Sequence, residues 1–323
     1  MTTTAHRRTL LKGLATSLLP LPLGLHAQAA YPNRPIKIIV PLPASGAADV
    51  SVRILAEGMQ GPLGQSINVD NRPGGAYQIA MQQLTSSPPD GYTLLHINSS
   101  MCAVQQAFKR IDLQKQLTPV AHMGSTDGVL VAALNAPFKT VQEMVAWAKA
   151  NPGRLTSGTI GLGSLEHLAM VNLGNKYGFT LNQIPFKGGP DGALAVAQGE
   201  VMVMPLAAPL LVPFKDKVRP LATMVAKRHP LAPDAPTLAE AGYDIPHLSY
   251  WGGLAAPAGT PRAVVEVLQR HIAAAIELPA LKARYVPLGL VAHYLPGDEM
   301  GRMIDSELKW LGDAIKSANL TFS

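Results

Sequence analysis

Ile36–Val40 is an apolar, β-branched run broken only by Lys37, a pattern that predicts a mostly buried strand. A loop of small residues, 43–49, follows it. Val50, Ile54, Leu55 and Met59 then recur at roughly helical spacing, and Gly61-Pro62 marks the helix end. Ile67–Val69 predicts a second strand. Ile79, Met81 and Leu84 predict a second helix, closed by the turn Pro88-Pro89-Asp90-Gly91. Tyr92–Ile97 predicts a third strand. The order strand, helix, strand, helix, strand requires a parallel sheet with right-handed crossovers.

The pattern restarts near residue 130. Val129–Leu134 predicts a strand. Val141, Met144, Val145 and Ala148 share one face of a helix over 141–150. Residues 156–163 form a glycine-rich loop, 165–177 a helix, a strand ends at Ile184, and 193–198 is a short helix. Val201–Met204 is a further strand, Trp251–Pro257 a strand crossing back, and two helices close the chain at about 261–277 and 297–316. The expected architecture is two α/β lobes. Residues 30–130 and 251–323 make lobe 1, and residues 131–250 make lobe 2.

The N-terminus has a different pattern. His6-Arg7-Arg8-Thr9-Leu10-Leu11-Lys12 precedes a largely apolar stretch from Leu14 to Leu25, and Ala27-Gln28-Ala29 supplies the small residues that a signal peptidase reads. The paired arginines resemble those of a twin-arginine signal. Residues 1–29 are therefore expected to be an export signal, removed to leave a soluble periplasmic protein starting at Ala30. No cysteine follows the apolar run, which excludes a lipoprotein anchor.

Composition narrows the function. With 47% hydrophobic and 15% charged residues among 323, the chain is too apolar for disorder and too sparsely charged for a coiled coil. Residues 1–29 hold Arg7, Arg8 and Lys12 and no acid, so their removal takes the net charge from +6 to +3. That mild charge, without a Lys/Arg run, gives nucleic-acid binding little support. The single cysteine, Cys102, excludes an internal disulfide framework and any multi-cysteine zinc site. There is no nucleophile elbow, P-loop, complete dinucleotide fingerprint or His-Glu-x-x-His, so neither catalysis nor a metal or organic cofactor is expected.

What remains is three small-residue loops, each running into a helix N-terminus: 43–49, 158–164 and 187–191. Helix N-termini offer unpaired N–H groups and the positive end of the dipole, which suit an anion, and small residues let it approach the backbone. Thr159 and Ser164 add hydroxyl donors. Asp49 either caps the following helix or orders the first loop. Lys187 is either a surface lysine or a charge facing the cleft. His167 either fixes the glycine-rich loop or touches the ligand. The expected ligand is a small carboxylate, although phosphate or sulfate fits the same physics.

Together these residues resemble the substrate-binding proteins of tripartite tricarboxylate transporters, the Bug or TctC family. Tyr31-Pro32-Asn33-Arg34-Pro35-Ile36 is similar to the family's opening, and Pro41-Leu42-Pro43-Ala44-Ser45-Gly46-Ala47-Ala48-Asp49 to its first loop. Further matching blocks are Asn71-Arg72-Pro73-Gly74, Pro88 to Leu95, Gly158 to Ala169, Phe186-Lys187-Gly188-Gly189, Pro236 to Gly242, and Leu254 to Pro261. The resemblance covers Tyr31 to about Leu320. It implies an α/β, two-lobed periplasmic binding protein-like fold (type II) whose ligand cleft lies between the lobes. The implied ligand is a small organic carboxylate, held by a pincer of the first loop and the 158–164 loop. The implied partner is a pair of membrane permease subunits or, alternatively, a sensor kinase, and the receptor is expected to be a monomer.

The candidate ligand-binding residues are Pro43, Ala44, Ser45, Gly46, Ala47 and Asp49 from the first loop, with Asn98 and Ser99 from the end of the third strand. Gly158, Thr159, Gly161, Gly163, Ser164 and His167 come from the second loop and its helix, and Lys187 and Gly188 from the third. The chain departs from the family where polar residues are usual: Met202, Pro205, Leu206 and Ala207 stand there, and Ala195 replaces an acid. If the 202–207 segment faces the cleft, a monocarboxylate with an apolar body is preferred over an amino acid or a tricarboxylate.

Overall fold

The computed structural model describes residues 31–161, 163–317 and 320–322. The predicted export signal lies outside the described residues.

The chain begins with β1 (Ile36–Val40), α1 (Ala47–Leu63), β2 (Ile67–Asn71), α2 (Gln78–Thr85) and β3 (Thr93–Asn98). Four of the five β1 residues are buried, and Lys37 is the exception. α1 buries Val52, Leu55, Ala56, Met59 and Leu63 and runs through Pro62. It stops at Gly64, whose left-handed backbone (φ +65°) lets its N–H close on Gly61 O. α3 (Ser99–Phe108) and α4 (Leu113–Gln116) lead into β4 (Leu117–Ala133).

The second half holds α5 (Val141–Ala150), β5 (Leu155–Thr159), α6 (Leu165–Tyr177), β6 (Leu181–Pro185), α7 (Gly189–Gln198), β7 (Val203–Ala207) and β8 (Val218–Thr223). The chain then returns as β9 (Ser249–Pro257), α8 (Arg262–Glu277), α9 (Pro279–Tyr285), β10 (Val291–Pro296) and α10 (Gly297–Ser317).

The strands are joined in the order β2-β1-β3-β9-β4-β7-β5-β6, with β10 and β8 also pairing with β4. β1 is parallel to β2 and β3, and β5 is parallel to β6 and β7. These are the two crossover units that the strand–helix alternation requires. Their link is β4: Leu117–Asp127 pairs with β9 in the first lobe, while Gly128–Ala132 pairs with β7 in the second. Gly124 lies at an irregularity of β4 with φ +155°, where a Cβ would meet Val291 O at 2.6 Å, so only glycine fits.

Two cores belong to single lobes. Ile38, Leu55, Leu268 and Ile272 form one under α1 and α8; Val129, Val131, Val196 and Met204 form the other under α7. A third runs from Ile97 and Met101 through Leu165 and Leu168 to Val203, because α6 packs on both α3 and α10. The lobes are thus joined by apolar packing as well as by β4. Each fully buried aliphatic side chain contributes roughly 1.5–3 kcal/mol. Cys102 is buried in this shared core. Among the described residues no helix is long and apolar enough to cross a membrane, and no cluster of His, Cys, Asp and Glu could hold a metal ion.

Candidate ligand-binding cleft

A cavity of about 570 Å³ is lined by residues of both crossover units. From the first lobe it is lined by the start of α1 and the start of α3, and from the second by the start of α7 and the end of β7. Four observations define its chemistry.

The first is a pair of open helix N-termini. α1 begins after Gly46 and α7 after Gly188, and neither has a side-chain cap. Pro43, Ala44, Gly46 and Ala47 line the cavity on one side, Gly189 and Pro190 on the other. The uncapped ends of two helices, one from each lobe, therefore open on one space and favour an anion there. Asn98 and Ser99 also line it, but Asn98 Oδ1 accepts from Met101 N at 3.2 Å and caps α3 itself.

The second is the support of the first loop. Ser45 and Asp49 do not line the cavity. Asp49 is buried, and its carboxylate accepts from Ser45 N at 2.8 Å, from Arg53 Nε at 3.0 Å and from Asn71 Nδ2 at 3.0 Å. It makes no side-chain cap to α1. Its role is to hold the loop in which Ser45 has φ +66°. Burial pushes its carboxyl up, but the hydrogen bonds from Arg53, Ser45 and Asn71 outweigh this and leave it below the usual range.

The third is the way the glycine-rich loop folds on itself. Thr159 Oγ1 lies 2.7 Å from Ser164 Oγ and 3.0 Å from Gly161 O. Ser164 Oγ accepts from His167 N at 3.3 Å, capping α6, and His167 Nδ1 accepts from Gly163 N at 3.0 Å. The hydroxyls expected to face a ligand are thus engaged within the loop. Gly158 lies under Met204, and Gly163 lies against Ala107 of α3. None of Gly158, Thr159, Gly161, Gly163, Ser164 and His167 lines the cavity; from this stretch Ile160 and Glu166 do. Burial lowers the His167 pKa, which keeps the ring neutral and able to accept. Lys187 is exposed, and it and Gly188 stay outside the lining.

The fourth is an apolar wall. Met204, Pro205, Leu206, Ala207, Pro209 and Leu210 line the second-lobe side, and Leu288 and Leu290 the side formed by the C-terminal segment. Three of the four unusual residues of the 202–207 segment therefore border the cavity; Met202 does not. Sequence reasoning missed the contributions of Tyr77, His96, Thr126, Glu166, Tyr250 and Trp251. None of them was marked by a motif of its own, and only the tertiary fold brings them to one place.

The family model of the tripartite tricarboxylate transporter family receptor, TctC, matches residues 51–320. A UPF0065 protein from the gbd 5′ region of Cupriavidus necator is 32% identical over 296 residues, covering 89% of this chain and 90% of its own. A protein of R. palustris solved with adipate is 26% identical, with a TM-score of 0.78, and covers 91% of this chain and 100% of its own. MatC of Rhodopseudomonas palustris, solved with bound malate, is 25% identical with a TM-score of 0.74, covering 88% and 100%.

Proposed function

Because the chain belongs to the tripartite tricarboxylate transporter receptor family, we propose that it captures a small organic carboxylate in the cleft and delivers it to the permease subunits of such a transporter. The observation that carries this reading is the convergence of the uncapped α1 and α7 N-termini, one from each lobe, on one cavity. A carboxylate held between them contacts both lobes and favours the closed state by its differential affinity. Adipate and malate in two similar proteins support the ligand class. The apolar wall from Met204 to Leu210 favours a ligand with an apolar body, at roughly 25 cal/mol per Å² buried. The family is one of receptors, and the reading is accordingly a receptor and not an enzyme.

The protein works in the periplasm after removal of residues 1–29, a reading that rests on Arg7-Arg8 and Ala27-Gln28-Ala29. Mass spectrometry of periplasmic extract is expected to give a chain starting at Ala30. An intact Met1 in a cytoplasmic pool contradicts it. Thermal shift of the processed protein tests the ligand class, since a ligand of the folded state raises the melting temperature. Carboxylates should raise it and their uncharged amides should not. Equal shifts from acid and amide, or none from any acid, contradict the reading.

A further inference from the structure

The cleft contains a buried acid for which a plain carboxylate ligand has no use. Glu166, the second residue of α6, is 4% exposed and lines the cavity. Tyr250, on β9, donates its hydroxyl to Glu166 Oε1 at 2.9 Å, and Oε2 has no partner. The Tyr77 phenol lies near enough to feel the Glu166 charge. Tyr77 itself has φ +73°, uncommon for a bulky side chain and a form of strain that collects at binding sites. Two more cavity-lining residues, Thr126 on β4 and His96 on β3, also bury a polar atom with no partner.

Among the described residues no lysine or arginine lines the cavity. A carboxyl buried without a cation is costly unless something pairs with it. Burial accordingly pushes the Glu166 carboxyl up, while the hydrogen bond from Tyr250 draws it only partly back. The protein thus leaves a free carboxyl acceptor in the cleft and leaves the positive charge to the ligand. Against an ionised Glu166 a second carboxylate would meet a like charge, with no lysine or arginine among the described lining residues to offset it.

Resting on the carboxylate reading above, we propose that Glu166 is the specificity residue of the cleft, its free Oε2 accepting from an amino group on the ligand, so that the preferred class is aminocarboxylates with an apolar body. The α1 and α7 N-termini take the carboxylate, Met204–Leu210 covers the body, and Glu166 takes the ammonium as a charge-assisted hydrogen bond. This reverses the order that the apolar segment alone suggests between amino acids and plain acids.

Calorimetry with matched ligands tests it: leucine against 4-methylpentanoate, and 6-aminohexanoate against hexanoate and adipate. At least one amino ligand is expected to bind the unaltered protein about tenfold or more tighter than its plain partner. Glu166→Gln, which still accepts from Tyr250, is expected to abolish that advantage. Plain acids binding as well as both amino ligands overturn the assignment, and so does adipate binding tightest, the result of a protonated Glu166 donating to a second carboxylate. An amino preference that survives in Glu166→Gln overturns it too. If the variant fails to fold, the ligand ratios on the unaltered protein decide. Binding of plain acids without amino preference removes this assignment alone; no binding by any of these acids removes the carboxylate reading with it.

Discussion

Gly289 rests against Pro209: a Cβ at Gly289 would stand 1.7 Å from Pro209 Cγ. Pro209 follows β7 in the second lobe, and Gly289 precedes β10 in the first. Leu288 and Leu290 on one side and Pro209 and Leu210 on the other line the cavity. The contact is thus a point where the lobes touch at the cleft wall, and it exists because position 289 has no side chain.

Gly289→Ala should therefore hold the lobes apart. We expect a loss of about tenfold or more in ligand affinity, with a modest loss of stability because Gly289 also has φ +63°. Gly178→Ala is the control. Its φ is +73° and nothing lies within 4 Å of its Cβ position, so it imposes similar backbone strain without a contact. That strain costs roughly 1–2 kcal/mol. Equal affinities of the two variants by calorimetry would show that closure does not need the Gly289–Pro209 approach.

The open helix ends give a second test. Gly46 (φ −75°, ψ 164°) and Gly188 (φ −174°, ψ 171°) have extended backbones that any residue adopts. A Cβ at either meets nothing closer than 3.5 Å. Gly46→Asp and Gly188→Asp each put a carboxylate where the ligand's is expected. Stability should change by only a few tenths of a kcal/mol, since glycine and aspartate both serve at helix starts. Carboxylate affinity should fall by an order of magnitude or more for each. Unchanged affinity in both variants would place the ligand elsewhere in the cavity.

The first loop and the parallel units were legible in the sequence because strand runs such as Ile36–Val40 and turn residues such as Pro88-Pro89-Asp90-Gly91 are local signals. α3 was not foreseen: Ser99, Ala103 and Ala107 on its buried side give little contrast with the rest. The first half of β4 hides behind Pro119, His122 and Gly124, which break alternation. α6 was legible over its whole length, 165–177, although it buries Leu165 through Met170 without interruption and so shows no exposed face there. In the cleft, the helix-opening loops could be found but their side-chain directions could not. Thr159 and Ser164 carry the same hydroxyls whether they face a ligand or one another, and the 2.7 Å contact between them is a tertiary outcome. Glu166 and Tyr250 are 84 positions apart, and no local signal joins them.

Asp49 should be a determinant of acid stability. Its pKa is lowered from the ordinary 3.8 in the folded protein. A depressed carboxyl contributes stability that is present above the unfolded value and lost as pH falls through the folded one. Asp49→Ala leaves Ser45 N and Asn71 Nδ2 without this acceptor, a loss of roughly 1–3 kcal/mol at neutral pH. In thermal melts the gap between the unaltered protein and the variant should be full at pH 7 and should narrow steadily below about pH 4. A gap independent of pH would mean that the side chain acts through packing.

Glu307 should act with the opposite sign. Its carboxyl, 9% exposed on α10, accepts the indole N–H of Trp251, and Trp251 lines the cavity. Burial pushes its pKa up to about 8, against a smaller lowering by Trp251. The folded state therefore holds a proton that the unfolded state, with an ordinary carboxyl near 4.5, has already released. Stability then falls as pH rises from about 4.5 towards 8, and is flat in this respect below and above that window. Glu307→Gln keeps an acceptor for Trp251 and removes the titration. The variant and the unaltered protein should melt at similar temperatures at pH 4.5 or below, and the variant should melt several degrees higher at pH 8, a difference of a few kcal/mol at most. Because Trp251 forms part of the cleft wall and its N–H bonds a carboxylate more strongly than the neutral acid, ionisation of Glu307 should also change the environment of the ring. Its fluorescence should change over the same window in the unaltered protein and stay constant in Glu307→Gln. Parallel melting curves for the two proteins from pH 4.5 to 8 would show that Glu307 is already ionised in the folded state.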